Sequence, residues 1–248
     1  MPLNQWVREL SETVRLVHAP VGYFAMMLRK LKDVRDSLMF SLNPPDWNTA
    51  LSRSLSFGNV SNEVFLALLR ESRAYLEFGA GASTLHAVDL GKRVIAVESD
   101  ESCAMAVKEM CAPAVAASSV NLVDVVHGNI GRTGPWGKPI LPSIKRPAAW
   151  RRYPLAPWEA LGNDFRADFI LVDGRFRVAC ALSVALHQLD TEWDLLVDDY
   201  ADRPEYSTIA EFLELQAIYG RMAHFRRSRD LDESAARRAF EKSVSDWR

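Results

Sequence analysis

Two periods of hydrophobic residues alternate along most of this chain. Between residue 61 and residue 227, segments with an apolar residue at every third or fourth position alternate with short runs rich in Val, Ile and Leu. The first pattern is typical of amphipathic helices and the second of buried strands. Their alternation predicts a doubly wound α/β fold, in which helices cover both faces of a mainly parallel sheet. The predicted helices span 61–71, 83–90, 100–111, 177–188 and 205–218, and the predicted strands span 73–78, 93–98, 119–127, 168–173, 193–199 and 221–227.

The pattern before residue 46 differs and predicts an N-terminal helical cap over residues 1–45, followed by a main domain over 46–248. Two helices are expected in the cap, over 4–18 and 20–42, because Ala19 and Pro20 interrupt the periodicity. We expect the apolar face of the second helix to pack on the main domain or on another copy of the chain in a homodimer. A helix lying on a membrane surface is the alternative.

Residues 128–163 form a long excursion between two predicted strands, rich in Gly and Pro and with little periodicity. Loops of this length are usually functional or disordered, and Trp136, Trp150 and Trp158 argue against disorder. The segment is therefore predicted to be a lid over the substrate that favours an anionic or ring-shaped acceptor, with a structural or dimer contact as the alternative. Its charge is mainly basic, with one acid, Glu159, against Arg132, Lys138, Lys145, Arg146, Arg151 and Arg152.

Composition and charge narrow the possible partners. The 248 residues are 48% hydrophobic and carry a formal net charge of -2, which suits one globular domain and gives no argument for binding nucleic acid or membranes. The three cysteines, Cys103, Cys111 and Cys180, form no CxxC motif, so neither a zinc site nor a disulfide framework is indicated. No secretory signal or run of about 20 apolar residues is visible, and a cytoplasmic location is expected.

The candidate chemistry begins at a glycine turn between the first predicted strand and a helix, in the sequence LEFGAGAST of residues 76–84. Glycines allow a ligand to approach the backbone, and the helix that follows offers free N–H groups. Glu77 and Thr84 depart from the dinucleotide-binding pattern, which has an apolar residue and a third glycine at these places. The next strand ends in Glu98, where a carboxylate can accept hydrogen bonds from ribose hydroxyls. Together these features predict a site for an adenosine-containing ligand.

The motifs LEFGAGAST, VIAVESD and HGNI resemble the cofactor site of class I S-adenosylmethionine-dependent methyltransferases. The resemblance covers residues 60–230 and implies a Rossmann-like fold with a seven-stranded sheet and S-adenosylmethionine as the cofactor. It places Glu98 at the ribose and Asn129 with Ile130 at the adenine. The segments GNIGRTGPWG, WRRYPLAPW and VDGRFRVACAL also resemble bacterial methyltransferase-like proteins. The residues implied at the cofactor are Glu77, Gly79, Ala80, Gly81, Ser83, Thr84, Glu98, Ser99, Asn129, Ile130 and Asp173.

Three aspartates follow later strands. Asp173 ends one strand, and Asp198 and Asp199 end the next, so the three can meet at one edge of a parallel sheet. Oxygen ligands of this kind suit Mg2+ or Ca2+, and the arrangement resembles the metal-dependent O-methyltransferases of the catechol and macrolide-sugar types. The alternative is that Arg175 or Arg177 neutralises the carboxylates without a metal ion.

The function expected from these features is methyl transfer from S-adenosylmethionine to an oxygen of a small molecule or sugar, with divalent-metal assistance as an option. Asp173 is the candidate catalytic residue. His127, Tyr153 and Tyr200 stay open as general bases, since Phe176 stands where the catechol-type enzymes have a lysine. The alternatives are a non-catalytic nucleotide-binding module and an NAD-dependent oxidoreductase. Methylation of nucleic acid is disfavoured by the pI of about 6.2 and by the lack of an (Asp/Asn)-Pro-Pro-(Tyr/Phe) motif after the fourth strand.

Overall fold

The computed structural model describes residues 21–117, 123–140, 147–161 and 165–248. The predicted helix over 4–18 and the first part of the predicted strand over 119–127 lie outside the described residues.

A seven-stranded sheet runs through the centre of the protein, in the order β3-β2-β1-β4-β5-β7-β6. Strands β1 to β5 are parallel, β7 is antiparallel to β5, and β6 is antiparallel to β7. This confirms the prediction of a doubly wound, mainly parallel α/β fold. The strands are β1 (Ala74–Phe78), β2 (Arg93–Glu98), β3 (Val123–His127), β4 (Phe169–Val172), β5 (Asp194–Val197), β6 (Leu213–Tyr219) and β7 (Met222–Arg227).

Helices precede, connect and follow these strands. In chain order they are α1 (Val21–Leu42), α2 (Trp47–Ala50), α3 (Asn59–Glu71), α4 (Ala82–Asp89), α5 (Glu101–Ala117), α6 (Pro147–Trp150), α7 (Arg152–Leu161), α8 (Arg177–His187) and α9 (Glu233–Ser243), with 3-10 helices over Pro135–Gly137 and Pro204–Glu211.

The core has two layers because side chains alternate between the two faces of the sheet. In β1, Tyr75 contributes to the layer formed with α3, α4 and α5, whereas Leu76 and Phe78 contribute to the layer formed with α7, α8 and α9. All five residues of β1 are buried, as expected for a central parallel strand covered on both faces. The strand ends are thereby held at fixed positions, and the site described below is built on them.

The predicted helix over 205–218 is wrong in its second half. A 3-10 helix covers Pro204–Glu211, but Leu213–Tyr219 forms the edge strand β6, which pairs with β7 through a turn at Gly220. Gly220 has a φ of +62°, the left-handed conformation that a tight turn requires. Pairing with a strand that follows in the sequence thus overrides the local helical pattern.

The described parts of the long excursion divide into two regions. Residues 133–139 form a small hairpin closed by a bridge between Thr133 and Pro139. Residues 147–161 form α6 and α7, from which Trp150 and Tyr153 insert into the core. Of these two regions, only the first contributes residues to the main cavity described below, so the segment 128–163 predicted as a lid is in part a core element.

None of the helices in the described ranges is long and apolar enough to cross a membrane.

Candidate functional site

A cavity of about 700 Å3 opens beyond the carboxyl ends of β1, β2, β4 and β5. Its size is within the usual range for small-molecule sites. It lies where the strand order reverses between β1 and β4, which is the usual ligand position in open α/β sheets. The predicted cofactor residues that line it are Glu77, Gly79, Ala80, Gly81, Ser83, Glu98, Ser99 and Asp173.

The glycine turn after β1 is held by a buried hydrogen-bond network. Glu77 is 2% exposed, and its two carboxylate oxygens accept hydrogen bonds from the Ser83 hydroxyl and, at 2.7 Å, from the Thr84 hydroxyl. Thr84 Oγ1 in turn accepts the N–H of Gly81 at 3.1 Å. Burial raises the pKa of Glu77 to about 8, although both hydroxyls oppose the shift. Glu77 therefore fixes the shape of the turn. At the position of the third glycine, the Thr84 hydroxyl takes part in the same network, which a glycine could not do.

The first residue of the turn is a glycine because two backbone segments approach each other closely there. Gly79 has a φ of +107°, and a Cβ atom there would lie 3.1 Å from the backbone nitrogen of Gly174. A side chain would therefore force apart the loops that follow β1 and β4. Around Gly81, a Cβ atom would have no neighbour within 4 Å, so this residue faces open space in the cavity.

Glu98 connects the end of β2 to the glycine turn. Its Oε2 atom accepts one hydrogen bond, from the Ala80 N–H at 3.1 Å. Its Oε1 atom accepts three, from the Ser99 N–H at 2.6 Å, the Ser99 hydroxyl at 3.0 Å and the Asp100 N–H at 2.9 Å. Since each carboxylate oxygen has about two acceptor positions, Oε2 keeps capacity for a ligand hydroxyl. Burial raises the pKa of Glu98, and these four donors oppose the rise.

The hairpin over 133–139 reaches the cavity beside Glu98. The Thr133 hydroxyl donates to Asp100 Oδ2 at 2.8 Å. The Ser99 hydroxyl, whose single hydrogen is shared with Glu98, lies 3.2 Å from the carbonyl oxygen of Gly137. At its tip, Trp136 lines the cavity with 80% of its surface exposed and a φ of +63°. A large aromatic ring is thus held at the cavity mouth by a strained backbone.

The two residues implied at the adenine lie apart from this cavity. Asn129 lines a neighbouring cavity of about 570 Å3, together with His127 and Arg132, and its side-chain oxygen accepts the Gly131 N–H at 2.9 Å. Ile130 is buried in the core. Ser99 and Asp100 line both cavities. The hairpin over 133–139 contributes Thr133 to the neighbouring cavity and Trp136 to the main one, so it lies between them.

The three aspartates converge at the other end of the main cavity, where arginines pair with them. Arg177 Nη2 lies 3.0 Å from Asp173 Oδ1, and Arg177 Nη1 lies 3.1 Å from Asp199 Oδ2. Arg221 forms a bidentate pair with Asp198, with both N–O distances 2.8 Å. Arg177 therefore neutralises aspartates in the way that the alternative to a metal ion expected, and Arg221 is a second cation that does so.

This arrangement does not fit a divalent metal ion. In the residues that the structure describes, no group of three His, Cys, Asp or Glu side chains could hold one. The physical reason is that guanidinium groups already compensate the negative charge on which such an ion would depend. In this structure the three predicted metal ligands, Asp173, Asp198 and Asp199, form an ion-pair cluster with Arg177 and Arg221.

Among the four candidate general bases, Asp173 alone lines the main cavity. Tyr153 is buried and donates its hydroxyl to the Val97 carbonyl at 3.1 Å. His127 lies in the neighbouring cavity, and Tyr200 packs edge-on against Phe225. Burial raises the pKa of Asp173, Arg177 opposes the rise, and Asp198 and Asp199 add to it.

Sequence reasoning missed several cavity residues. Arg221 is not among the predicted site residues, although it pairs with Asp198. The sequence signal was its position just before an antiparallel strand, because β7 begins at the edge where β5 ends. Trp136 lies in the segment predicted as a lid, whereas Arg203 and most of the segment 51–57, which also line the cavity, carry no comparable signal.

Comparisons with known proteins agree with this geometry. No protein-family model and no curated protein sequence matches the chain. Among solved structures it is similar to a methyltransferase-like protein from Silicibacter pomeroyi, with 33% identity over 78% of this chain and 97% of that one and a TM-score of 0.65. A weaker similarity, with 13% identity over 92% of this chain and 98% of the other and a TM-score of 0.42, is to the SAH-bound methyltransferase PaMTH1 from Podospora anserina. That second likeness is too low to bear on function.

The strand order, the glycine turn after β1 and the acid after β2 define a class I methyltransferase fold. Since a third of the residues are identical across nearly all of the Silicibacter protein, the chain belongs to the class I S-adenosylmethionine-dependent methyltransferases. The oxidoreductase alternative is thereby set aside.

Proposed function

We propose that the cavity binds S-adenosylmethionine and that the protein methylates an oxygen of a small molecule or sugar. The observation that carries the proposal is the Glu98 carboxylate, which is fixed beside the glycine turn with acceptor capacity left on Oε2. A ribose hydroxyl is the kind of donor that this oxygen would accept. When bound, S-adenosylmethionine supplies an activated methyl group on a sulfonium sulfur.

The residues around the cavity suit such a cofactor. Gly79 and Gly81 leave its floor free of side chains. Glu98 would hold the ribose, and the exposed ring of Trp136 is placed to cover a bound nucleoside and reduce its contact with water. The protein's contribution to catalysis is then alignment of the acceptor hydroxyl with the methyl group.

Asp173 is the proposed proton acceptor. Its Oδ1 atom is paired with Arg177, and its side chain keeps one third of its surface exposed at the cavity. A carboxylate whose pKa is raised by burial is a stronger base than a free one. In the proposed step the acceptor hydroxyl would give its proton to the Asp173 carboxylate as its oxygen bonds to the methyl carbon. The bond between that carbon and the sulfonium sulfur would break, with its electron pair left on sulfur, so that S-adenosylhomocysteine is the leaving group. Arg177 holds the carboxylate in place throughout.

Calorimetric titration of S-adenosylhomocysteine tests the proposal. We expect micromolar binding to the wild type and at least about tenfold weaker binding to Glu98→Ala, because a charge-assisted hydrogen bond is lost. Glu98→Gln keeps one acceptor oxygen and should lie between the two. Glu101→Ala is the matched control, since Glu101 lies three residues away with its side chain 75% exposed.

Absence of binding to the wild type would overturn the proposed cofactor site. Equal affinity in Glu98→Ala and Glu101→Ala would overturn the role of Glu98. Melting temperatures of the variants show whether a lost affinity reflects a lost fold.

A further inference from the structure

Arg175 stands out at the aspartate end of the cavity because no acidic side chain among the described residues forms an ion pair with its guanidinium. It follows β4, lines the cavity, and its Nε atom is buried without a hydrogen-bond acceptor. Within the described ranges, neither an ion pair nor a side-chain hydrogen bond involves its guanidinium. A buried donor without an acceptor costs about 1–3 kcal/mol, so native structures seldom keep one without a reason.

The surrounding charges explain why no aspartate serves it. Asp173 and Asp199 are paired with Arg177, and Asp198 is paired with Arg221. Burial lowers the pKa of Arg175, and repulsion by Arg177 adds to this effect. An anion from outside the chain would supply the missing hydrogen-bond acceptor and reduce the repulsion.

The position of Arg175 indicates which ligand would bring that anion. Strand order places β2, with Glu98, on one side of β1, and places β4, β5 and β7 on the other. Arg175 therefore lies on the side of Asp173 and Arg221, away from the residue proposed to hold the ribose. Ser56, whose carbonyl oxygen accepts a hydrogen bond from Arg221, also lines the cavity on this side.

We infer that Arg175 anchors an oxyanion of the methyl acceptor, a carboxylate, phosphate or sulfate group. This rests on the proposed function and names the chemical class of its substrate. A guanidinium presents its N–H groups as a planar fork that matches two oxygens of such a group. Arg175 is thus a specificity-determining residue that orients the acceptor beside Asp173.

The test measures anion binding to the protein saturated with S-adenosylhomocysteine. The probes are inorganic phosphate, sulfate and benzoate, with neutral benzamide as the shape-matched control for benzoate. We expect at least one of the three anions to bind the wild type about 10- to 100-fold more tightly than Arg175→Gln. Benzamide should not distinguish the two proteins. The preferred anion identifies the oxyanion, since carboxylate and tetrahedral groups are tested separately.

Two further variants make the result specific. Arg151→Gln removes an arginine far from the cavity and should bind the anions like the wild type, because Arg151 pairs with Glu241 on the surface. Arg175→Lys keeps the charge without the fork and should restore part of the affinity. Since Arg175 has no partner to lose, Arg175→Gln should melt no lower than the wild type without ligands.

Equal anion affinity in the wild type and Arg175→Gln would overturn the inference, as would the absence of any anion binding to the wild type. It would also be overturned if Arg175→Gln weakened binding of S-adenosylhomocysteine but not of adenosine, because Arg175 would then hold the amino-acid carboxylate of the cofactor. If the wild type bound no S-adenosylhomocysteine, the proposed function would fail separately, and the anion titrations on the unliganded protein would still report on Arg175.

Discussion

The two ends of the cavity compensate their acidic side chains by different means. At the glycine turn, Glu77 and Glu98 accept hydrogen bonds from neighbouring hydroxyl and backbone N–H groups. At the ends of β4 and β5, the aspartates meet the guanidinium groups of Arg177 and Arg221. The first end uses neutral donors, whereas the second uses full charges, from Arg177 four residues after Asp173 and from Arg221 in a later segment.

The difference shows how each end can treat a ligand. Neutral donors hold a carboxylate in place and leave its negative charge available, which suits recognition of ligand hydroxyls at Glu98. Ion pairing compensates the charge of the aspartates, and Arg175, which among the arginines lining the cavity has no acidic partner, is the proposed recognition group. Under the proposed function, the end that would hold the nucleoside is acidic toward a ligand, and the end that would hold the acceptor is basic.

Arg177→Met is expected to have the largest effect on stability, because it removes a cation from the aspartate end of the cavity. The Arg177 side chain is 5% exposed, and its loss leaves three neighbouring carboxylates with less compensation. Breaking a buried ion pair from one side costs about 3–5 kcal/mol, so the free energy of unfolding should fall by about that amount. Urea denaturation measures this value. Arg151→Met is the control, because the exposed pair with Glu241 should be worth less than about 1 kcal/mol. Equal losses in the two variants would contradict a charge-paired acceptor end.

Glu77→Gln is expected to change the free energy of unfolding by a smaller amount, which depends on pH. Burial raises the pKa of Glu77 from 4.5 to about 8, so the folded state holds a proton that the unfolded chain releases in this range. The free energy of unfolding should therefore fall as pH rises from about 4.5 to about 8. Glutamine cannot ionise, so the variant should lose this part of the decrease and gain stability relative to the wild type at alkaline pH.

Denaturant unfolding of both proteins between pH about 5 and about 9 tests this prediction. The other titrating groups are the same in both, so the difference between the two curves reports on Glu77. Parallel curves would mean that Glu77 is ionised throughout and that the hydroxyls of Ser83 and Thr84 compensate it fully.

Adding or removing divalent metal ions is expected to have the smallest effect, measured on the affinity for S-adenosylhomocysteine. Because arginines already pair with Asp173, Asp198 and Asp199, millimolar Mg2+ or its removal with EDTA should change the affinity for S-adenosylhomocysteine by less than about twofold. A stronger dependence that Asp198→Asn abolishes would show that a metal ion displaces Arg221 from the aspartates.

Local patterns predicted the parts of the fold that depend on neighbours in sequence. Strands β1, β2, β4 and β5 lie within their predicted ranges, because runs of Val, Ile and Leu between helices identify buried parallel strands. The exception is β6, whose residues show a helical pattern and pair instead with β7. In the same way, Trp150 and Tyr153 were expected in a lid, but they lie in the core because the β-sheet offers an apolar surface to cover.

The chain by itself determined the alternation of helices and strands, the glycine turn with Glu77, and the acids that end β2, β4 and β5. Each of these depends on local backbone geometry or on the rule that parallel strands end at the same edge. Only the tertiary structure decided how the charges are partnered. It placed Arg177 among the aspartates, brought Arg221 to Asp198 from the turn between β6 and β7, and left the Nε atom of Arg175 without an acceptor. Such pairings depend on distances of a few ångströms between segments far apart in sequence, which periodicity and spacing do not encode.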